Sequence, residues 1–273
     1  MKLQFTKMSG AGNDFVVIDN LDNAVRGGSD LATRICDRHW GVGADGLLLV
    51  EKSTSAAYRM MYYNADGSYG GMCGNGGRCI AEFCCARGLA PAEHDFEALD
   101  HVYHAVVGQG TVKLSMKDPW DIRTNLMLPV IGKKLKATFL DTGSPHVVIL
   151  AKLVSQKGLS GIDVTALGRK IRHLKLFGPE GTNVNFIEVT GNNSLNIRTY
   201  ERGVESDTLA CGTGSIASAV AGSLSAGMKP PVTVTVRSGS KLTVDFEGHS
   251  DGMPRNVRLT GPVATVFEGV ISV

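Results

Sequence analysis

An α+β fold built from two similar halves, each an antiparallel-rich sheet wrapped around a central helix, is predicted by three observations. The chain has 273 residues, and about 100–200 residues per domain is usual, which favours two domains. MCGNGG (72–77) and ACGTGS (210–215) are near-copies, and each opens a helical stretch. Strand-like alternation dominates the rest, with only about two helices per half, whereas a doubly wound fold needs a helix after nearly every strand.

The elements follow in order. The opening MKLQFTKMSG alternates at Leu3, Phe5 and Lys7 and reads as a strand. Asp30 is placed to cap a helix over LATRICDRH, and Gly41–Gly46 then makes a tight connection into the apolar strand LLLV. The helix after Cys73 presents Ile80, Phe83 and Cys84 on one face. VVGQGTVKLSM (106–116) puts a glycine-bearing turn before an alternating strand, and VRSGSKLTVDF (236–246) does the same in the second half. The two segments suggest a duplicated unit with a boundary near Lys117-Asp118-Pro119, giving 1–118 and 119 onward. Asp163 caps VTALGRKIR, and NIRTY reads as a strand. The helix after Cys211 presents Ile216, Ala219, Val220 and Leu224 on one face, and Val232, Val234, Val236 and Leu242, Val244, Phe246 form a hairpin around Ser238-Gly239-Ser240.

Composition narrows the function classes. Hydrophobic residues are 43% and charged residues 20%, ordinary values for a globular protein. The apolar runs Leu47–Val50 and Val147–Ala151 fall far short of the roughly 20 residues that span a bilayer, and the N-terminus lacks a secretory core, so a cytoplasmic protein with no membrane partner is expected. A net charge of +2 with intermixed signs gives no support for nucleic-acid binding. The six cysteines (36, 73, 79, 84, 85, 211) do not resemble a small disulfide-stapled scaffold; Cys73, Cys79, Cys84 and Cys85 lack the paired spacing of a zinc site, so no metal is expected, and Cys79, Cys84 and Cys85 read as small helix-packing residues.

The chemistry concentrates at the two repeats. The first amides of a helix have no intrahelical acceptor and, with the macrodipole, favour negative charge. A cysteine there is biased toward thiolate, from a pKa of about 8.5 into a range of roughly 3.5–7.5 in favourable sites. Glycines 74, 76, 77, 212 and 214 remove bulk, so a ligand carboxylate can approach the same amides. By contrast, Gly41-Val42-Gly43-Ala44-Asp45-Gly46 matches a dinucleotide string in inverted context, with helix before and strand after. No P-loop, HExxH or GxSxG occurs, and nothing requires pyridoxal phosphate. His146, in Ser144-Pro145-His146, is a structural or substrate-positioning group; Glu201-Arg202 suits recognition of an ammonium and a carboxylate, or makes an exposed salt bridge. Asn13, Asn64, Asn75 and Asn183 sit beside glycine or at strand ends, where asparagine usually serves turns.

Five segments, MSGAGNDFVVID (8–19), NADGSYGGMCGNGGRC (64–79), GSPH (143–146), GTNVNF (181–186) and YERGVESDTLACGTG (200–214), resemble in order and spacing the motifs of the diaminopimelate epimerases. Proline racemases are similar around the cysteines but are not expected to carry the GNDF opening or the ERG segment. The resemblance implies two α/β domains with an active site in the cleft between them, and a last strand that returns to the first domain. That makes the domains 1–118 plus 262–273, and 119–261. It implies no cofactor, no metal and a diaminopimelate substrate on the route to lysine and peptidoglycan; the oligomeric state stays open, with a homodimer among the assemblies the sequence allows.

For the residues, the resemblance implies that Cys73 and Cys211 are paired acid and base, exchanging a proton at opposite faces of one carbon. Backbone amides of Gly74, Asn75, Gly212 and Thr213 would receive the carboxylate. Asn13 would bind substrate, Asn64, Asn183, Glu201 and Arg202 its distal end, with His146 and Ser144 nearby. A Cys73–Cys211 disulfide under oxidation would inactivate such a site. Two residues depart from the commoner pattern: Ser144 stands where GNPH carries asparagine, and Gly46 where many members carry glutamine. Both remove an amide, so looser distal selectivity, extending to glutamate racemisation, is an expectation. The alternatives are a racemase of another amino acid on the same scaffold and a non-catalytic amino-acid-binding module.

Overall fold

The computed structural model describes residues 2–130, 132–248 and 253–272. Contacts divide the chain into two units, Met1–Ser115 with Thr260–Val273, and Met116–Leu259.

In chain order the elements are β1 (Lys2–Gly10), β2 (Asn13–Asp19), α1 (Gly28–Ile35), β3 (Gly46–Glu51), β4 (Tyr58–Asn64), α2 (Gly74–Ala86), β5 (Glu93–Ala98), β6 (His101–Val107) and β7 (Thr111–Ser115). They continue with β8 (Trp120–Val130), β9 (Lys133–Asp141), β10 (Pro145–Leu150), α3 (Val164–Arg172), β11 (Asn183–Gly191), β12 (Ser194–Glu201), β13 (Ser206–Thr208) and α4 (Gly212–Ala226). The last are β14 (Val232–Thr235), β15 (Lys241–Gly248), β16 (Pro254–Pro262) and β17 (Ala264–Ser272).

In the first unit β1 pairs antiparallel with β17 and with β2, β2 runs parallel to β3, β3 antiparallel to β4, β4 parallel to β5, and β5, β6 and β7 form an antiparallel run. In the second, β9 pairs antiparallel with β8 and β10, β10 runs parallel to β11, β11 antiparallel to β12, β12 parallel to β14, and β14 antiparallel to β15. The second list repeats the first in order and direction from β8–β9, the counterpart of β17–β1, through β14–β15, the counterpart of β5–β6. Each unit makes its parallel pairings by helical crossovers, α1 and α2 in one, α3 and α4 in the other, as parallel strands require. The α+β architecture read from strand alternation and sparse helices is the one observed.

That equivalence sets β5 against β14: β5 runs parallel to β4, which leads into α2, and β14 runs parallel to β12, which leads through the short β13 into α4. The turn at 108–110 joins β6 to β7, whereas Ser238–Ser240 joins β14 to β15. The two glycine-bearing segments matched in sequence are therefore displaced by one hairpin. Glycine-bearing turns close many hairpins, so turn chemistry alone does not fix position.

Each central helix is enclosed by its own sheet: α2 packs on β1, β2, β3, β6 and β7, and α4 on β9, β10, β11, β12, β14 and β15. Ile80, Phe83 and Cys84 of α2 are buried as their spacing predicts, an aliphatic or aromatic side chain there contributing about 1.5–3 kcal/mol. The helix α4 departs from an amphipathic reading. Ile216, Ala219 and Val220 are buried, and so are Ser215, Ala217, Ser218 and Ala221 around the rest of its circumference, whereas Leu224 is 45% exposed where the last turn leaves the sheet. Small residues allow strands to approach on every side.

The outer helices show one agreement and one correction. Asp163 caps α3, its carboxylate accepting from the Ala166 amide at 2.9 Å. Asp30 does not cap α1. The helix begins earlier, after Gly27 at φ 92, a left-handed turn open to glycine, and ends at Ile35, leaving Asp30 in the first turn where its charge favours the helix dipole. The Gly41–Gly46 segment is a tight connection, with Val42 and Gly43 amides both donating to the Ile35 carbonyl. Among the described residues no helix is long and apolar enough to cross a membrane, and no group of three or more His, Cys, Asp or Glu side chains could hold a metal.

Candidate active site

Cys73 and Cys211 occupy the same structural position in their units. Each is the N-cap of a central helix in extended backbone, φ −123 and ψ 122 for Cys73, φ −126 and ψ 114 for Cys211. All six cysteines are free thiols. Burial separates them: it pushes Cys36 and Cys79 up to about 12 and Cys84 well above its usual range, so these three stay protonated packing groups. Cys85 is half-buried rather than fully packed.

Around Cys73, the amides of Asn13 and Asn75 form an ordered chain. The Arg78 guanidinium, wholly buried, donates to the Gly74 carbonyl at 3.1 Å and to Asn75 Oδ1 at 2.8 Å. Asn75 Nδ2 donates to Asn13 Oδ1 at 3.2 Å, and Asn13 Nδ2 to Asp45 Oδ2 at 2.7 Å. Arginine can only donate and a carboxylate only accept, so both amide orientations are determined, and the Asn13 carbonyl comes within 3.8 Å of Cys73 Sγ. Asp14, beside this chain, is paired with Lys7 at 2.7 Å and Arg38 at 2.9 Å. Burial alone would raise its carboxyl, but the Arg38 and Lys7 cations outweigh it and hold it at about 2.

Gly46 lies directly opposite Asn64 in the β3–β4 register. A Cβ at Gly46 would sit 2.6 Å from the Tyr62 ring and 2.7 Å from the Tyr63 carbonyl, and one at Gly70 would sit 2.3 Å from the other edge of the Tyr62 ring. The space left by Gly46 is thus occupied by Tyr62, whose hydroxyl donates to Asn64 Oδ1 at 2.6 Å while Asn64 Nδ2 donates to Ser68 Oγ at 2.9 Å. In the sequence Gly46 reads only as a missing amide; Gly46 and Gly70 become the two sides of a cradle for Tyr62 once β3 and β4 pair.

Around Cys211, parallel pairing sets His146 opposite Asn183 and Val148 opposite Asn185. His146 is fully buried, with Nε2 3.0 Å from both Ser144 Oγ and Thr213 Oγ1. Burial, assisted by the Arg202 cation, pulls its pKa down to about 3, so the ring is neutral. Cys211 Sγ accepts from the Gly214 amide at 3.4 Å and lies 3.5 Å from Thr213 Oγ1. Asn183 Oδ1 accepts from the Arg202 amide at 2.9 Å, its Nδ2 donates to the Pro145 carbonyl at 2.9 Å, and Glu201 Oε2 accepts from Thr208 Oγ1 at 2.9 Å. Ser144, His146, Asn183, Glu201, Arg202, Cys211, Gly212 and Thr213 are thereby grouped in one unit, and Asn13, Asn64, Cys73, Gly74 and Asn75 in the other. Asn185 and Thr199 complete the second group and were not singled out from sequence; Asn185, in the NVNF stretch two residues beyond Asn183 on the same strand face, was the available signal.

The family model for diaminopimelate epimerase matches residues 5–119 and 138–265. A diaminopimelate epimerase from Chlorobaculum tepidum is 42% identical over 97% of this chain and 100% of that protein, and one from Aquifex aeolicus is 40% identical over 99% and 98%. Among solved structures, a Bacillus anthracis phenazine biosynthesis protein of the PhzF family superposes with TM-score 0.72 at 14% identity, covering all of both chains. A probable proline racemase from Agrobacterium radiobacter K84 gives 0.71 at 15%, over 99% of this chain and 92% of that one; these two share the fold. With its duplicated helix-capping cysteines on this fold, the chain belongs to the diaminopimelate epimerase family, a family of isomerases.

Proposed function

We propose that this protein interconverts LL- and meso-2,6-diaminopimelate in the cytoplasm, on the route to lysine and peptidoglycan, by a two-base reaction of Cys73 and Cys211 that uses no cofactor. The observation that carries the reading is the matched placement of the two cysteines as N-caps of equivalent helices. Inverting a stereocentre requires a base at one face and an acid at the other, and one side chain does not serve both. One thiolate and one thiol supply the pair and exchange roles with direction. Negative charge moving into the substrate carboxylate is met by first-turn amides of Gly74, Asn75, Gly212 and Thr213, whose helix dipoles favour it. Asn13 contacts substrate beside Cys73, and Asn64, Asn183, Glu201 and Arg202 hold the distal amino acid end. Thiolate bias at a helix start supports the role of both cysteines.

The test is incubation with LL-diaminopimelate in deuterium oxide, following α-proton exchange and stereochemistry together. Exchange in both isomers that disappears in Cys73→Ala and in Cys211→Ala is expected; exchange persisting in either variant rejects the two-base reading.

Substrate breadth follows from Ser144. A short hydroxyl replaces an amide there, leaving fewer fixed partners against which a shorter substrate is penalised, and slow glutamate racemisation is proposed on that ground. Deuterium incorporation into glutamate no faster than in Cys73→Ala would refute it.

A further inference from the structure

The hydrogen bonds around Cys211 run in one direction. The Val147 carbonyl only accepts, and it takes a proton from Asn185 Nδ2 at 3.2 Å; Asn185 Oδ1 accepts from Thr199 Oγ1 at 2.9 Å. The Asn185 amide is therefore fixed, and its second N–H faces His146 Nδ1 at 3.1 Å. An imidazole nitrogen that accepts carries no proton, so the His146 proton sits on Nε2, directed at the hydroxyls of Ser144 and Thr213. A second line reaches the same place. The Arg202 amide holds Asn183 Oδ1, turning Asn183 Nδ2 toward Ser144 Oγ at 3.5 Å, and Ser144 Oγ in turn donates to Thr213 Oγ1 at 3.4 Å. Thr213 Oγ1 thus receives protons from two sides. Its own proton is left for Cys211 Sγ, 3.5 Å away.

We infer that His146 and Ser144 are positioning residues that turn the Thr213 hydroxyl into a donor to Cys211 Sγ, stabilising the thiolate of Cys211 as a resting base. The inference rests on the proposed role of Cys211 and adds what prepares it. A hydroxyl and the Gly214 amide both donating to the sulfur favour S⁻ over S–H, because only the anion accepts both strongly. A neutral imidazole is needed: protonation at Nδ1 would oppose the Asn185 N–H and undo the chain. The charged group acting on His146 is Arg202 from the turn after β12, which also acts on Asp141 at the end of β9. The Arg202 cation disfavours imidazolium and keeps the direction. Ser144 is suited to this task, since its hydroxyl accepts from Asn183 and donates onward within a single atom.

The test titrates thiolate by its ultraviolet absorbance in the intact protein, taking the difference from Cys211→Ala as the Cys211 curve. Thr213→Val keeps the shape of the side chain and removes the hydroxyl; it is expected to raise the apparent pKa of Cys211 by about one unit, a tenfold loss of thiolate below the midpoint, whereas Thr213→Ser keeps the wild-type curve. An unmoved Thr213→Val curve, or an equal shift in Thr213→Ser, overturns the inference. Nitrogen NMR of the His146 ring tests it independently of any variant: the Nε2–H tautomer, without titration near neutral pH, is expected, and the Nδ1–H tautomer or a titrating ring overturns it. Activity of Cys211→Ala separately tests the role of Cys211 itself, so a catalytic failure of that cysteine is distinguished from a failure of the hydrogen-bond chain.

Discussion

The guanidinium of Arg78 donates to Asn75 Oδ1 at 2.8 Å from a wholly buried position, one turn inside the helix that Cys73 caps. It has no carboxylate partner among its described contacts; it serves the Gly74 carbonyl and the Asn75 amide, and through Asn75 it fixes Asn13. Arg78→Ala removes the buried donor to Asn75 Oδ1 and a second donor to the Gly74 carbonyl, which keeps its own helix bond, at up to roughly 3 kcal/mol in all. Urea unfolding is expected to show a loss of about 3 kcal/mol, with only partial recovery in Arg78→Lys, whose single ammonium does not reproduce the planar fork. Equal midpoints for wild type and Arg78→Ala would refute this account of the buried cation.

Gly46→Ala tests the Tyr62 cradle. The added Cβ meets the ring at 2.6 Å and the backbone carbonyl of Tyr63 at 2.7 Å. The ring is held on its other edge by Gly70, so neither neighbour can yield cheaply. A loss of about 1–3 kcal/mol, the usual cost of overpacking, is expected in denaturant unfolding. A variant as stable as wild type would show that Tyr62 moves freely.

Acid stability should fall in two stages. His146 has its pKa lowered from 6.5 to about 3, chiefly by burial. The unfolded chain binds the proton first, so the contribution of the neutral ring is present above about 6.5 and is lost as pH falls toward 3, on the order of 5 kcal/mol in full. Asp14, lowered from 3.8 to about 2 by Arg38 and Lys7 against its own burial, contributes above 3.8 and loses about 2 kcal/mol as pH falls through 2. Urea midpoints across this range should decline from mildly acidic pH onward. The upper stage is expected to flatten in His146→Asn and the lower in Asp14→Asn; a parallel decline in all three proteins would remove both assignments.

Asp163→Ala removes the cap of α3, leaving the Ala166 amide without its 2.9 Å acceptor. A loss of about 1 kcal/mol is expected, with Asp163→Asn retaining most of it. Thermal unfolding checks both, and an unchanged midpoint in Asp163→Ala would show that the cap contributes nothing.

Local patterning carried much of the architecture. Alternation in MKLQFTKMSG and the Val232–Phe246 hairpin, the Asp163 cap and the repeated cysteine motif each depend on neighbours within one turn or one strand, and each lies where its chemistry directs. The limits lie where distance in sequence is large. Asp30 lost the cap to Gly27 because a left-handed glycine let the helix start earlier. Leu224 lies outside the core because the sheet around α4 ends before its last turn, and α4 itself is buried all round by strands that its own periodicity does not reveal.

The same division holds at the site. Residue type and spacing along the chain determined that Cys73 and Cys211 head helices with glycine-rich first turns, since a helix start needs only its own few residues. Tertiary structure decided what each neighbour does to them: that Tyr62 fills the space above Gly46, that a buried Arg78 orients Asn75 and Asn13, and that His146 meets Thr213 across 67 residues of sequence. Hydrogen-bond direction and desolvation arise only when distant strands are paired in register, and these set which proton each group carries.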